Sequence, residues 1–179
     1  EQLAAEMGRD DVVPEEGTTT MEHYFQIGIK DHIAVVLNIS IVAEKQFGLE
    51  NALKAMKREW NPIEFECIRY DFGHATSPDP EKLSFSYIIR GIDDVVALLD
   101  DHLVKVQTMR ASPFIKAGDL EKQAKLWEKK LQNLQWLIDE WMACQRSWMY
   151  LKPIFSSEDI VTKLPQEARR FAWVDALWL

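Results

Sequence analysis

The sequence is short of the residues that build catalytic loops. It holds seven glycines in 179 residues, none of them clustered. No Gly-x-x-x-x-Gly-Lys-Ser/Thr and no Gly-x-Gly-x-x-Gly occurs, so no glycine-rich cradle for phosphate is encoded. Cysteine is almost absent. Cys67 and Cys144 stand far apart, without a Cys-x-x-Cys. That excludes a disulfide framework and points to a reducing compartment. Positive charge is in deficit: 21 Lys and Arg face 29 Asp and Glu, a net charge of −8. Nucleic acid and anionic membranes are therefore not expected partners, because both demand clustered basic residues. The longest apolar run, residues 33–42, contains Asn38 and Ser40. It is too short and too polar to span a bilayer. No secretory signal pattern opens the chain. It begins on Glu1 and stops at Leu179 inside a helical pattern, the expectation being a piece of a longer polypeptide.

What is present is a globular composition, 47% apolar and 28% charged, with seven tryptophans. Tryptophans favour large, well-packed helix interfaces. The chain is organised around residues 119–150. Leu120, Ala124, Trp127, Leu131, Leu134, Ile138, Trp141, Gln145 and Trp148 recur at steps of three and four. That spacing places them on one face of a helix. Glu121, Lys122, Lys125, Glu128, Lys129, Lys130, Gln132, Asn133, Asp139 and Glu140 fall between them and form the expected wet face. The predicted helix covers about 119–151, a rod of roughly 50 Å. From the stripe alone, the plainest reading is the longest helix of an ordinary bundle. The residues expected to carry its packing are Trp127, Leu131, Leu134, Ile138, Trp141 and Trp148.

Residues 1–20 read as a poorly structured approach segment, with Thr20 as a helix cap. Helical spacing begins at Met21, and Gly28 is a possible break. Phe47-Gly48 reads as a stop, with Gly48 as a left-handed cap. Leu49, Leu53, Met56 and Trp60 mark a second helix, ended by Asn61-Pro62. The period then shortens to two. Ile63, Phe65, Cys67 and Arg69, and later Leu83, Phe85, Tyr87 and Ile89, predict a two-stranded hairpin over about 63–90. Its loop contains Gly73, His74, Pro78 and Pro80. A third helix follows from Ile92, with Val95, Val96, Leu98, Leu99, Leu103, Val106 and Met109 on its apolar side, and ends at Ser112-Pro113. Pro153 stops the long rod, Ser156 with Asp159 resembles a capping box, and Pro165 opens a last helix. The fold class is mainly α: an elongated helical bundle with one long central helix and a small two-stranded antiparallel hairpin, residues 21–179 forming one helical domain.

No cluster of reactive residues converges. Asp100, Asp101 and His102 are adjacent on a helix, so they point about 100° apart and do not meet at one ion. Asp93 and Asp94 suit a helix N-terminus. His23 and His74 have no partner in sequence. Cys144 lies beside Trp141 and Trp148 and reads as packed. No catalytic, cofactor-binding or metal-binding residue is assigned. Trp173 and Trp178, at the end of the chain, read as contacts for further sequence.

Three separated stretches carry a resemblance. One is Trp148-Met149-Tyr150-Leu151-Lys152-Pro153-Ile154-Phe155-Ser156-Ser157-Glu158-Asp159-Ile160, followed by Leu164-Pro165-Gln166-Glu167. Another runs from Leu98-Leu99-Asp100-Asp101-His102 through Gln107-Thr108-Met109-Arg110 to Ser112-Pro113-Phe114. The third covers residues 53–60 and includes Glu59-Trp60. Together they resemble the linker region of dynein heavy chains, with an axonemal flavour. Ala117-Gly118-Asp119 departs from that pattern and leaves the start of the rod open. The resemblance implies a non-catalytic lever lying across an ATPase ring of the same heavy chain, bending as nucleotide turns over. It implies ATP and Mg elsewhere in the parent chain and none in this part. It also implies other dynein complex subunits as partners, microtubules only indirectly, and a cytoskeletal location in a cilium or flagellum axoneme. A lever bends at element ends, and Gly48, Pro113 and Pro153 are the candidate hinges. The alternative is a helical scaffold or interaction module of a cytoskeletal complex, docking partners through its tryptophans.

Overall fold

The computed structural model describes residues 2–8, 19–71, 85–116 and 119–178. The predicted loop with His74 and the Ala117-Gly118 entry lie outside them. The elements in order are α1 (Gln2–Met7), α2 (Met21–Gln26), a 3-10 turn (Ile29–His32), α3 (Ile33–Glu59), β1 (Glu66–Asp71), β2 (Phe85–Arg90), α4 (Asp93–Ala111), a second 3-10 turn (Pro113–Lys116), α5 (Asp119–Phe155), α6 (Glu158–Lys163) and α7 (Pro165–Trp178). The fold is mainly α with one two-stranded antiparallel sheet. The chain divides into two compact units: Glu1–Arg58 with Met109–Ala124, and Glu59–Thr108 with Lys125–Leu179.

The first unit buries Ala4, Leu53, Met56, Met109, Ile115 and Ala124. Helix α1 is a correction, since the approach segment was expected to lack structure. Thr20 caps α2 as expected, its Oγ1 accepting from the His23 amide at 3.3 Å. Gly28 has φ +86, a left-handed geometry that suits glycine, and it separates α2 from the 3-10 turn.

Helix α3 corrects a second expectation. It runs unbroken through Phe47 and Gly48, so Gly48 is neither a stop nor a left-handed cap. Glycine costs about 1 kcal/mol against alanine inside a helix. Burying Leu53 and Met56 on the same helix returns about 1.5–3 kcal/mol for each side chain. Packing outweighs propensity here. A Cβ at Gly48 would meet nothing within 4 Å. Gly48→Ala is therefore expected to stabilise the chain by about 0.5–1 kcal/mol, read as a higher urea midpoint. A lower midpoint would show that the backbone at Gly48 is not helical.

The second unit holds the hairpin. Strands β1 and β2 pair in the register Glu66↔Arg90, Cys67↔Ile89, Ile68↔Ile88 and Arg69↔Tyr87. Gly91 follows at φ +68, where a side chain is strained, and turns the strand into α4. Along α4, Val95, Leu99, Leu103 and Val106 are buried, as the spacing predicts. Asp93 and Asp94 occupy its first turn, where carboxylates complement the helix dipole. Gln135 Nε2 on α5 donates to Asp100 Oδ1 on α4 at 3.4 Å, in keeping with the antiparallel return that a short connection imposes.

Helix α5 has 37 residues, about 55 Å at the usual rise. It does not stop at Pro153, which is the third correction: Pro153 sits in the last turn and the helix continues to Phe155. Proline there forfeits one backbone bond, and so little helix follows that the loss is local. The true end comes two residues later. The Ser156 amide and the Ser156 Oγ both donate to the Lys152 carbonyl, at 3.1 and 2.8 Å. That hydroxyl is thus used at the end of α5, and the expected capping box is not formed. Ser157 is the N-cap of α6 and makes no side-chain cap bond. Pro165 opens α7 as expected.

Candidate functional site

The stripe along α5 sorts into two groups. Leu131, Ile138 and Trp148 are buried, while Trp127 and Leu134 are half-buried. Trp141 is 47% exposed, against its expected place in the core. Leu131, Ile138 and Gln145, all buried, follow a seven-residue repeat. Trp148, seven residues after Trp141, is buried while Trp141 is not, so spacing alone does not separate the two. Trp141 lines an apolar recess with Phe65, Ile89, Ile92, Leu137, Ile138 and Met142. Glu128, assigned to the wet face, is only 7% exposed. Its position three residues before Leu131 and four after Ala124 put it on the buried side. The Trp127 indole N–H is buried without an acceptor among the described residues.

Gln145 was legible as a stripe position but not as a ligand for backbone. Its Oε1 accepts from the Ile89 amide at 2.8 Å and its Nε2 donates to the Ile89 carbonyl at 2.9 Å. A primary amide thus supplies the hydrogen-bonding pattern of a neighbouring strand. The Trp178 indole N–H donates to the Tyr87 carbonyl at 3.2 Å. These two side chains satisfy backbone groups of β2 that would otherwise offer a free sheet edge. A two-stranded sheet is marginal by itself, and the helices stabilise it through these bonds.

The end of α5 joins α7 through a compact cluster. Trp148, 2% exposed, stacks on Trp178 with ring centroids 4.9 Å apart and planes at 15°. Its indole N–H donates to Asp175 Oδ1 at 3.0 Å. Lys152 Nζ donates to the same carboxylate, at 2.7 Å to Oδ1 and 2.5 Å to Oδ2. Phe155 and Phe171 stack below, with centroids 5.0 Å apart. Trp178, read from sequence as a contact for further chain, is thus spent inside the unit, whereas Trp173 is exposed. The signal for this cluster lay in Trp148 and Lys152, one turn apart, but nothing local named Asp175.

His102 is fully buried. Trp60 Nε1 donates to its Nδ1 at 2.9 Å, and Nε2 lies 3.0 Å from Glu59 Oε2. Indole N–H is only a donor, so Nδ1 is the acceptor and Nε2 carries the proton. Asp101 instead pairs with Lys105 at 2.6 Å. The hydrogen bond to Asp101 is the main reason the Lys105 pKa is raised, with Asp101 and Glu59 adding charge attraction. The three adjacent residues 100–102 thus share no partner and do not converge. Among the described residues, no group of three His, Cys, Asp or Glu side chains could hold a metal ion. Both cysteines are exposed and unpaired with each other; Cys144 is not packed as expected. No helix among the described residues is long and apolar enough to cross a membrane. The arrangement is one of clasps between elements, made by tryptophan, glutamine, histidine and the part-buried Lys152–Asp175 ion pair.

The family described as dynein heavy chain, N-terminal region 2, matches residues 1–179. Dynein axonemal heavy chain 3 of Homo sapiens is 37% identical over 161 residues, covering 90% of this chain and 4% of that protein. Dynein axonemal heavy chain 12 of Rattus norvegicus is 39% identical over 169 residues, covering 94% of this chain and 5% of that protein. Dynein axonemal heavy chain 1 of Homo sapiens is 37% identical over 159 residues, with coverages of 89% and 3%. The chain therefore spans a small fraction of the length of the relatives it matches. With a family match along all 179 residues and axonemal relatives above one-third identity, this chain belongs to the dynein heavy chains, in their second N-terminal region.

Proposed function

We propose that this chain is a non-catalytic mechanical segment of an axonemal dynein heavy chain, the linker that couples ATP hydrolysis in the ATPase ring to the power stroke. ATP and Mg are held elsewhere in the parent polypeptide. The partners are the ring of the same chain and other dynein subunits, with microtubules reached only indirectly, in a cilium or flagellum. The observation that carries this reading is α5: 37 residues of uninterrupted helix in a chain whose family match is complete. A helix is stiff along its axis, and the clasps at Gln145, Trp148 and His102 bind neighbouring elements of the second unit to one another. The joints proposed for such a lever are Pro113, at the start of the second 3-10 turn, and Pro153, inside the last turn of α5. Gly48 remains a candidate only through the weak helix propensity of glycine.

The test is to break the rod without touching its packing. Asn133 is exposed in the interior of α5. Asn133→Pro in the parent heavy chain removes one helical hydrogen bond and kinks the rod, a local cost of about 3 kcal/mol. Microtubule gliding is expected to slow by about tenfold while ATP turnover changes by less than about twofold, the signature of a lost lever rather than a lost active site. Gliding at the unaltered speed with a kinked α5 would overturn the reading.

A further inference from the structure

The connector between α5 and α6 is two residues long, Ser156 and Ser157, and both are exposed. Ser156 is followed by Glu158 and Asp159 at its +2 and +3 positions. Both acids are exposed and lie in the first turn of α6. Protein kinases choose substrates by charge pattern, and this pattern suits a kinase with a basic substrate groove. Such an enzyme must draw the segment out into an extended form. Helix α6 has six residues and buries none of them, so opening it disturbs no core.

A second observation is independent of the acids. Ser156 lines a cleft of about 470 Å³ together with Lys152 on α5 and Arg169 and Asp175 on α7. Lys152 and the Trp148 indole already compensate Asp175. Arg169 is exposed and makes no ion pair among the described residues. A cation without an ion-pair partner among the described residues thus shares one cleft with an exposed hydroxyl. A guanidinium offers parallel donors that match a phosphate.

We infer that Ser156 is a phosphoacceptor for an acid-directed serine/threonine kinase, and that Arg169 receives the phosphate and ties the α5–α6 connector to α7. The Ser156 Oγ attacks the γ-phosphorus of ATP. The Oγ–P bond forms, and the bond from that phosphorus to the β,γ-bridging oxygen breaks. ADP leaves with the electron pair, and the hydroxyl proton passes to the base of the kinase. The hydrogen bond from Ser156 Oγ to the Lys152 carbonyl is given up. The product carries about −1.5 to −2 charges at neutral pH, delivered to the cleft that Lys152, Arg169 and Asp175 line. Ser157 is the poorer acceptor. Its +3 residue is Ile160, and it does not line the cleft.

The experiment uses the intact heavy chain, an acid-directed kinase and Mg-ATP, with mass spectrometry of the tryptic peptide 147–163. Phosphate is expected on Ser156, and both Ser156→Ala and Asp159→Ala should cut incorporation by about tenfold. Amide exchange over 156–163 should slow by about tenfold on phosphorylation of the wild type and not in Arg169→Ala, because the new tie needs the guanidinium. Phosphate on Ser157 or Thr162, incorporation indifferent to Asp159, or slowing that persists in Arg169→Ala would each overturn the inference.

Discussion

Trp148→Ala is expected to cost about 3–5 kcal/mol of unfolding free energy, the range for deleting a buried tryptophan. Trp148 is 2% exposed, so nearly all its surface is withdrawn from water. Three losses coincide on truncation. The stacked partner Trp178 loses its contact at 4.9 Å, and such pairs contribute about 0.5–1.5 kcal/mol beyond their burial. The cavity left behind adds to the transfer cost, since the helices relax only in part. Asp175 loses the indole donor and keeps only Lys152. The last effect can be isolated. Trp148→Phe preserves most of the ring but has no N–H, so it should cost about 1–2 kcal/mol, mostly the missing hydrogen bond. Urea midpoints of the two variants measure both. A Trp148→Ala cost below about 1 kcal/mol would place Trp148 at an open surface, contrary to its burial. In the second unit this cluster fixes the last turn of α5 to α7, so its loss should also raise amide exchange along α7 first.

Much of this arrangement was legible because one signal is physically simple. Apolar spacing reports the face that leaves water, and the buried face of α4 follows from it: Val95, Leu99, Leu103 and Val106 are buried. The hairpin is a correction: Phe65, Cys67 and Tyr87 of its expected apolar face are exposed, while Ser86 and Ile88 of the opposite face are buried. Pro165 and Thr20 mark helix starts because their effects are local to the backbone. The errors came from weighing local chemistry above packing. Gly48 and Pro153 are weak or bad helix residues, and both lie inside helices. Their costs are small beside the apolar surface buried on the same elements. Trp141 and Glu128 changed places: Glu128 lies one turn from the buried Ala124 and Leu131, and spacing gives no reason for Trp141, since Trp148 seven residues on is buried. Side-chain partners remote in sequence were beyond reach. Nothing near Trp148 specifies Asp175, and nothing near His102 specifies Trp60, although the spacing of Leu99, His102 and Val106 does place His102 on the buried side.

The family assignment was carried by motif wording, and the structure explains part of that wording. Three of the quoted residues make clasps: Trp60 and His102 bond each other, and Trp148 anchors α7 through Asp175. Lys152 of the same stretch holds that carboxylate as well, with both partners largely buried. Buried pairs of this kind do more to fix which elements meet than to raise stability. The lever proposed above would gain from such specificity, since a slipped helix would transmit nothing.

Gln145→Leu is expected to cost about 2–5 kcal/mol, although the substitution is close in volume and adds apolar surface to a site that is 96% buried by complement of its 4% exposure. The reason is an asymmetry in hydrogen bonding. Leucine leaves the Ile89 N–H and C=O in place but without partners, and each orphaned backbone group costs about 1–3 kcal/mol. Ile89 is itself buried, so water does not readily replace the amide. Gln145→Glu separates the two bonds. A carboxylate still accepts from the Ile89 N–H but offers no donor to the carbonyl, and it brings a charge into a buried place. It should therefore also be destabilising at neutral pH and recover in part when acid protonates it, because a protonated carboxyl can donate. Hydrogen exchange at Ile89 is the direct reading. Its amide should be protected in the wild type, exposed in Gln145→Leu, and partly protected in Gln145→Glu. Equal protection in all three would mean that β2 is held by β1 alone, and the clasp from α5 would then have no part in supporting the sheet.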